Sequence, residues 1–408
     1  MHLDDALQQL LAAAAPLGHA DLVPTLEADG RVLAQDLVSA LHVPAHDNSA
    51  MDGYALRCAD VPGPDAVLTV TQRIAAGSQG VELVAGTAAR IFTGAPVPPG
   101  ADAVVMQEDC TALPALQDPA AAPQVRFNAL PVPGQNIRRA GEDVTRGTVV
   151  LPRGCRLGPA HLGLAASIGM AELRVARRPK VALFSTGDEL VMPGMRAPED
   201  MPPGAIYNSN RFFLSALLRR MGAEVTDLGI VPDQRDATVA ALRDAATHHD
   251  VILTSGGVSV GEEDHIKPAV QALGHLDLWQ IAMKPGKPFA HGRIGHAHFI
   301  GLPGNPVSSF VTFLVLVRPF LLALQGQTLL APVGTPLRAD FAWPKADKRR
   351  EFLRVQRNGA GGLSLFANQS SGVLTSAVWG DGLVDNPGGN AIAAGDTVQY
   401  LSFADLLS

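Results

Sequence analysis

The chain has 408 residues, 47% hydrophobic and 17% charged, with a formal net charge of -7. That balance supports a sizeable core and excludes the basic footprint of a nucleic-acid binder. Aromatics at 5% exclude base-stacking platforms. The three cysteines, Cys58, Cys110 and Cys155, are too scattered for a disulfide framework or a CxxC metal site, so a reducing compartment is expected.

The first residues, MHLDDALQQLLAAAAPLG, lack a basic leader and carry Asp4 and Asp5; they predict a short amphipathic helix capped by Asp4. From about 67 to 150, short alternating runs (VLTVTQRI, ARIFTGAPV, DAVVMQE, QVRFNAL) separated by Gly and Pro predict a β barrel or sandwich. Residues 46–143 are therefore expected to form a β domain inserted into an elongated arm made of 1–45 and 144–177. At 178 the pattern changes. KVALFST, AEVTDLGIV and DVILTSGG read as strands, and YNSNRFFLSALLRRMG, DQRDATVAALRDAATHHD and HIKPAVQALG as helices. Such alternation predicts βαβ units on a parallel sheet across 178–326. The longest apolar run, 309–324, is interrupted by Arg318 and Pro319 and is expected to be too short to span a bilayer, so a soluble, cytoplasmic chain with no membrane partner is expected. Residues 327–408 return to short strands and predict a C-terminal β domain.

Three loops of the α/β block follow strands directly, where such folds bind ligands. They are Ser185-Thr186-Gly187-Asp188-Glu189, Thr254-Ser255-Gly256-Gly257-Val258-Ser259 and Leu302-Pro303-Gly304-Asn305-Pro306. Each alone is also what a tight βα turn looks like. Three on one sheet edge favour a site for phosphate or another oxyanion, because Gly exposes backbone N–H groups and a helix start adds a positive dipole end. The turn Lys284-Pro285-Gly286-Lys287-Pro288 is either a solvated surface turn or a stiff mount for two ammonium groups. Glu189, Asp233 and Asp264 lie at the mouth of the same block, where carboxylates beside phosphate suit Mg²⁺.

A second polar group of segments lies in the β region: Asp47-Asn48-Ser49-Ala50-Met51-Asp52-Gly53, Phe92-Thr93-Gly94 and Gly134-Gln135-Asn136-Ile137-Arg138-Arg139. Asx-turns explain each by itself; a functional reading requires them to meet the α/β block across a domain or subunit boundary. His291, His296 and His298 flank a hairpin turn and leave a metal site open, although no cysteine or acid completes it. GxSxG, HExxH, GxGxxG and Walker A patterns are absent in fitting contexts, which weighs against hydrolase, zincin, nicotinamide and P-loop chemistry.

DNSAMDGYA, FTGAPVPPGADAVVMQE, GQNIRRAGEDV, FSTGDEL, TSGGVSVGEEDH, KPGKPFA and GLPGNPVS occur in one order over nearly the whole chain. In that order they resemble the molybdopterin molybdenumtransferase family, bacterial MoeA and the gephyrin E domain. The resemblance implies a multidomain α/β plus β fold: an elongated N-terminal arm, an inserted β domain, a central molybdopterin-adenylyltransferase-like α/β domain and a C-terminal β-barrel domain. It also implies a head-to-tail homodimer, the substrates molybdate and adenylyl-molybdopterin, Mg²⁺, release of AMP, and working contacts with molybdopterin adenylyltransferase and downstream molybdenum-cofactor proteins. By the same resemblance Glu189, Asp233 and Asp264 would hold Mg²⁺, and the loop with Ser255, Gly256, Gly257 and Ser259 would cradle phosphate. Ser185, Thr186, Gly187, Asp188, Pro303, Asn305 and Pro306 would line the substrate site. Lys284, Lys287 and Ser308 would hold molybdate, with Arg354 and Ser371 contributed by the last domain. Asp52, Thr93, Arg138 and Asp143 would come from the partner subunit. His265 stands where the family usually has an aromatic, a departure expected to bear on packing beside the site. Two alternatives are an adenylyltransferase sharing the α/β domain, which GGVS in place of GGTG and the extra domains oppose, and a non-catalytic scaffold, which the retained acids and lysines oppose.

Overall fold

A computed structural model describes residues 1–113, 122–232, 234–257 and 265–407. In the N-terminal half, the segments before and after the inserted sheet are zipped together. Ala20–Pro24 pairs antiparallel with Glu172–Ala176, and Leu37–Val38 with Val149–Leu151. Leu33, Val144, Leu157, Leu173 and Val175 close a small core between these pairs. The inserted sheet has the order Ala103–Met106, Gly53–Leu56, Thr87–Ile91, Val67–Ile74, Gln124–Phe127, Cys110–Leu113. Its pairs are antiparallel except Val67–Ile74 with Thr87–Ile91.

The α/β sheet runs Glu224–Val231, Lys180–Thr186, Val251–Ser255, Ala297–Leu302, Pro288–Ile294, Gly274–Gln280. Helices cover both faces, so its central strands are apolar on both sides: Val181, Leu183, Val251 and Leu253 pack into one core, Ala182, Phe184, Ile252 and Phe299 into the other. The first four strands are parallel. The expected all-parallel sheet fails at Pro288–Ile294, which runs antiparallel to both neighbours. The physical reason is the two-residue turn at Gly295-His296, too short for a parallel crossover. That reversal makes Pro288–Ile294 start at the edge where the parallel strands end.

The helix Pro306–Leu324 is 19 residues long with mean hydropathy 2.1, so length does not exclude a span as the sequence suggested. It is 89% buried inside the protein and forms the central core element, with Phe313–Val317 wound as a π segment. The N-terminal helix also departs from expectation. It begins at Leu3, whose side chain is buried, and His2 stands at its N-cap without a side-chain bond. Asp4 lies inside the first turn and ion-pairs with Arg350 at 2.8 Å.

The C-terminal sheet runs Met283–Lys284, Arg350–Arg357, Gly382–Asn386, Thr397–Ser402, Thr335–Arg338. Its first member comes from the α/β block: Met283 and Lys284 pair in parallel with Arg350 and Glu351. The strand is thus shared between two parts of the chain that lie 67 residues apart at Lys284 and Glu351.

Candidate active site

The strands Lys180–Thr186, Val251–Ser255 and Ala297–Leu302 end side by side, and the loops leaving them form one rim. Gly187 adopts φ +137, and the Glu189 carboxylate folds against the face where a Cβ would stand. Gly257 adopts φ +67, with Ile266 and the Thr186 hydroxyl filling the same space. Only glycine fits either position. Leu302-Pro303-Gly304 leads to Asn305 at the N-cap of the central helix, with Pro306 in the first turn, where a missing N–H costs nothing.

Between the loops lies a cavity of about 680 Å³, lined by Thr186, Glu189, Ser255, Gly256, Asn305 and Ser308 among others, including Pro303 and Pro306. Gly187 and Gly257 shape its loops without lining it. Ser185 is buried on the strand, its hydroxyl without a partner among the described residues. Asp188 faces an adjoining groove of about 1270 Å³ that shares Glu189 and Leu190 with the cavity. Asp233, Ser259 and Asp264 lie outside the described residues.

Two asparagines that the sequence showed only as part of a helix start belong to this site. Asn210 Nδ2 donates to Ser255 Oγ and to the Gly304 carbonyl, both at 2.7 Å, tying two rim loops together. Asn208 lines the cavity and is 2% exposed; its Oδ1 accepts from Arg211 N–H, while its Nδ2 has no partner among the described residues. The signal was the YNSN run, since Asn at a helix start also caps.

The turn 284–288 borders the cavity through Pro288. Gly286, φ +114, leaves no room for a Cβ against Thr312 Oγ1. Lys284 Nζ donates to Glu351 Oε1 at 3.0 Å, lies 3.5 Å from Asp347 Oδ2, and sits 5.8 Å from the Trp343 ring centroid. Lys287 is exposed and has no acidic partner among the described residues. Arg354 is placed otherwise than its assigned contact with substrate suggests. It is 1% exposed and donates to Ser376 Oγ, the Phe352 carbonyl and the Ser370 carbonyl. Burial without an acid pulls its pKa down to about 10. It shapes the loop that carries Ser371, whose carbonyl accepts from Val307 N–H at 2.9 Å, and Gly372 next to it lines the cavity.

The β-region segments meet each other. Ile137–Arg138 pairs with Asn48–Ser49, and Ser49 N–H donates to the Ala95 carbonyl. Asp52 Oδ1 accepts from Thr93 N–H at 2.8 Å and from Thr93 Oγ1 at 2.7 Å, bonds that hold its carboxyl below the usual range. Arg138 and Asp143 are exposed, and Arg139 pairs with Asp47 at 2.6 Å. None of Asp52, Thr93, Arg138 and Asp143 lines the rim cavity of its own chain.

Among the described residues no group of three or more His, Cys, Asp or Glu gathers as a metal site. His291 Nε2 lies 3.3 Å from His298 Nδ1, but Arg293 Nη1 stands 3.1 Å from His298 Nε2. Burial pulls both imidazoles down to about 4, and the Arg293 guanidinium takes the outer nitrogen of His298.

An α/β rim of glycine loops, bordered by a lysine turn and by Gly372 of the C-terminal β part, defines a multidomain protein with one cleft at its strand ends. Three family models match the chain in succession: the MoeA N-terminal region (domains I and II) over residues 1–169, a probable molybdopterin binding domain over 182–323, and the MoeA C-terminal region (domain IV) over 336–403. The molybdopterin molybdenumtransferase of Haemophilus influenzae is 40% identical over 389 residues, 93% of either chain. Molybdopterin molybdenumtransferase 2 of Mycobacterium tuberculosis is 37% identical over 92% of this chain and 93% of its own. The crystal structure of the molybdopterin biosynthesis moeA protein of Pyrococcus horikoshii OT3 superposes with a TM-score of 0.86 at 27% identity, covering 99% of this chain and 100% of that one. The chain belongs to the MoeA family of molybdopterin molybdenumtransferases, enzymes of molybdenum-cofactor biosynthesis. Matches outside the α/β block set aside the adenylyltransferase alternative.

Proposed function

We propose that the chain transfers molybdenum from molybdate to adenylylated molybdopterin, releasing AMP and the molybdenum cofactor in a Mg²⁺-dependent reaction. The observation that carries this reading is the juxtaposition of glycine loops at three strand ends with the Lys284 turn. The Gly256 N–H is taken by the Leu302 carbonyl, so in that turn the Gly257 N–H is the donor suited to a phosphate, and the start of the central helix at Asn305, Pro306 and Ser308 suits a second anion. Lys284 and Lys287 supply the positive charge that a molybdate dianion needs, and preorganised charge stabilises the transfer as Mo–O contacts give way to Mo–S contacts.

Glu189, with Asp233 and Asp264, would hold Mg²⁺. Its exposed carboxylate at the rim is a hard oxygen donor of the kind Mg²⁺ takes. The cation supplies charge neutralisation at the phosphates when bound. Ser371 belongs to the wall behind the helix start, and Arg354 acts through that wall. Asp52, Thr93, Arg138 and Asp143 complete the cleft of a second copy in a homodimer, which accounts for a polar cluster lying apart from its own cavity. The enzyme works in the cytoplasm between an adenylyltransferase that supplies its substrate and the proteins that receive the cofactor.

The test is AMP release from adenylyl-molybdopterin by the purified protein. Release is expected only with molybdate and Mg²⁺ together, and is expected to disappear in Asp264→Ala. Release independent of molybdate, or an Asp264→Ala protein of full activity, would overturn the reading.

A further inference from the structure

Glu351 is charged, 1% exposed, and stands on the second residue of a sheet strand. A buried carboxylate persists where both oxygens are satisfied. Here Oε1 accepts from Lys284 Nζ at 3.0 Å and Oε2 from Trp343 Nε1 at 2.8 Å. The two partners arrive by different routes. Lys284 is delivered by the parallel pairing of Met283–Lys284 with Arg350 and Glu351, and Trp343 by a short bridge to Ile392. Asp347 stands on the other side of the ammonium at 3.5 Å and is itself fixed by Arg349 at 2.7 Å.

An ammonium has three N–H donors and no acceptor. One is committed to Glu351 and another directed toward Asp347, so among the described residues the third is uncommitted and can meet an anion. A free lysine loses side-chain entropy when it is fixed on a ligand, whereas a lysine already held loses less. Two carboxylates beside an anion-binding ammonium lower its raw attraction, so aim rather than affinity explains the arrangement.

We infer that Glu351 is the positioning residue for Lys284: the C-terminal domain, through the Trp343–Glu351–Lys284 chain of hydrogen bonds, sets the direction in which the lysine of the α/β turn presents its free N–H to the oxyanion substrate. This rests on the proposed reading that Lys284 binds molybdate. Glu351 itself touches no substrate. Lys287, on the far side of Gly286, has no such support among the described residues, so the two lysines of one turn have different duties.

The experiment is a double-mutant cycle on the full-length protein, read by molybdate-dependent AMP release, with thermal melts as a folding control. Glu351→Gln keeps the shape and an acceptor for Trp343 but removes the charge. It is expected to lower kcat about tenfold or more, as misaimed groups do, while the KM for molybdate moves less than about threefold. Combined with Lys284→Met it is expected to add nothing to the loss caused by Lys284→Met alone, because both act on one group. Glu351→Asp retains the buried charge and shortens the reach by about one bond length, roughly 1.5 Å; it gives the same cycle if the Gln variant does not fold, with a smaller loss. Penalties that multiply in the double variant, or a fully active Glu351→Gln protein beside an impaired Lys284→Met one, would overturn the inference and leave the reading of Lys284 intact. A fully active Lys284→Met protein would overturn both.

Discussion

The rim cavity and the Asp52 cluster are built by opposite means. At the cavity and the turn that borders it, polar side chains are held by groups distant in sequence: Asn210 by Ser255 and Gly304, and Lys284 by Glu351. Those contacts lie partly or wholly inside the protein and set the geometry before any ligand arrives. At the Asp52 cluster the partners are polar groups on an open surface, Asp52 with Thr93 and Arg139 with Asp47, and Arg138 and Asp143 face solvent. The first is a preorganised pocket. The second is a surface whose charges are ordered but uncovered, as a group offered to another molecule would be.

The largest effect tests the pocket side of that contrast. Lys284→Met is expected to reduce AMP release about 10²- to 10³-fold, the range for losing one preorganised charge donor at a reacting oxyanion. Lys287→Met, which removes a lysine with no acidic partner among the described residues, is expected to cost markedly less. Equal losses in steady-state assays of the two variants would show that support from Glu351 gives Lys284 no special role.

The surface side is tested by mixing. In the proposed homodimer, Asp52→Ala and Lys284→Met chains unfolded together and refolded at equal amounts should assort so that about half of the dimers are mixed pairs, each with one unaltered site. About a quarter of the activity of the unmodified protein is then expected from two variants that are each nearly inactive. No recovery, with mixed dimers shown by differential tagging, would place Asp52 and Lys284 in the same chain's site and abolish the contrast.

The difference between the two regions also explains how far each could be read from the sequence. The three rim loops were legible because Gly and Pro follow apolar strand runs directly, a local signal. Lys284 and Lys287 were legible for the same reason, as cations on a turn stiffened by two prolines. What held them was not: Glu351 reads as one acid in a strand, and only the pairing of Met283–Lys284 with Arg350 and Glu351 brings it to the lysine. Arg354 shows the converse. The family resemblance implied a substrate contact, but both faces of the strand are covered from Glu351 to Val355, and on the face it shares with Phe352 carbonyls and Ser376 take its donors. The antiparallel start of Pro288–Ile294, which puts the lysine turn on the rim, follows from a turn of two residues that the histidines flanking it obscured. Asp52, Thr93 and Arg138 were legible as separate polar segments, and the pairing of Ile137–Arg138 with Asn48–Ser49 unites them.

Mild acid should separate the two regions with the smallest perturbation, since no residue is changed. His291 and His298 lie on the strands that lead to the rim, and burial lowers each from an ordinary value of 6.5 to about 4. Around them stand Asp277, Arg293 and His275, with Phe320 from the central helix packed on the rings. Above pH 6.5 neither folded nor unfolded chain binds these protons, and stability is full. Between 6.5 and 4 the unfolded chain takes up protons that the folded chain refuses, so stability falls as pH falls, by up to about 1.4 kcal/mol per pH unit for each histidine. Below 4 both states are protonated and this slope disappears. The Asp52 carboxyl, held low by Thr93, keeps its charge through most of that window. Denaturant melts from pH 7.5 to 4.5 should therefore show a loss that is reduced by about half in a folded His298→Gln variant and unaffected by Asp52→Asn. An equal slope in all three proteins would place the acid sensitivity outside the scaffold of the cleft.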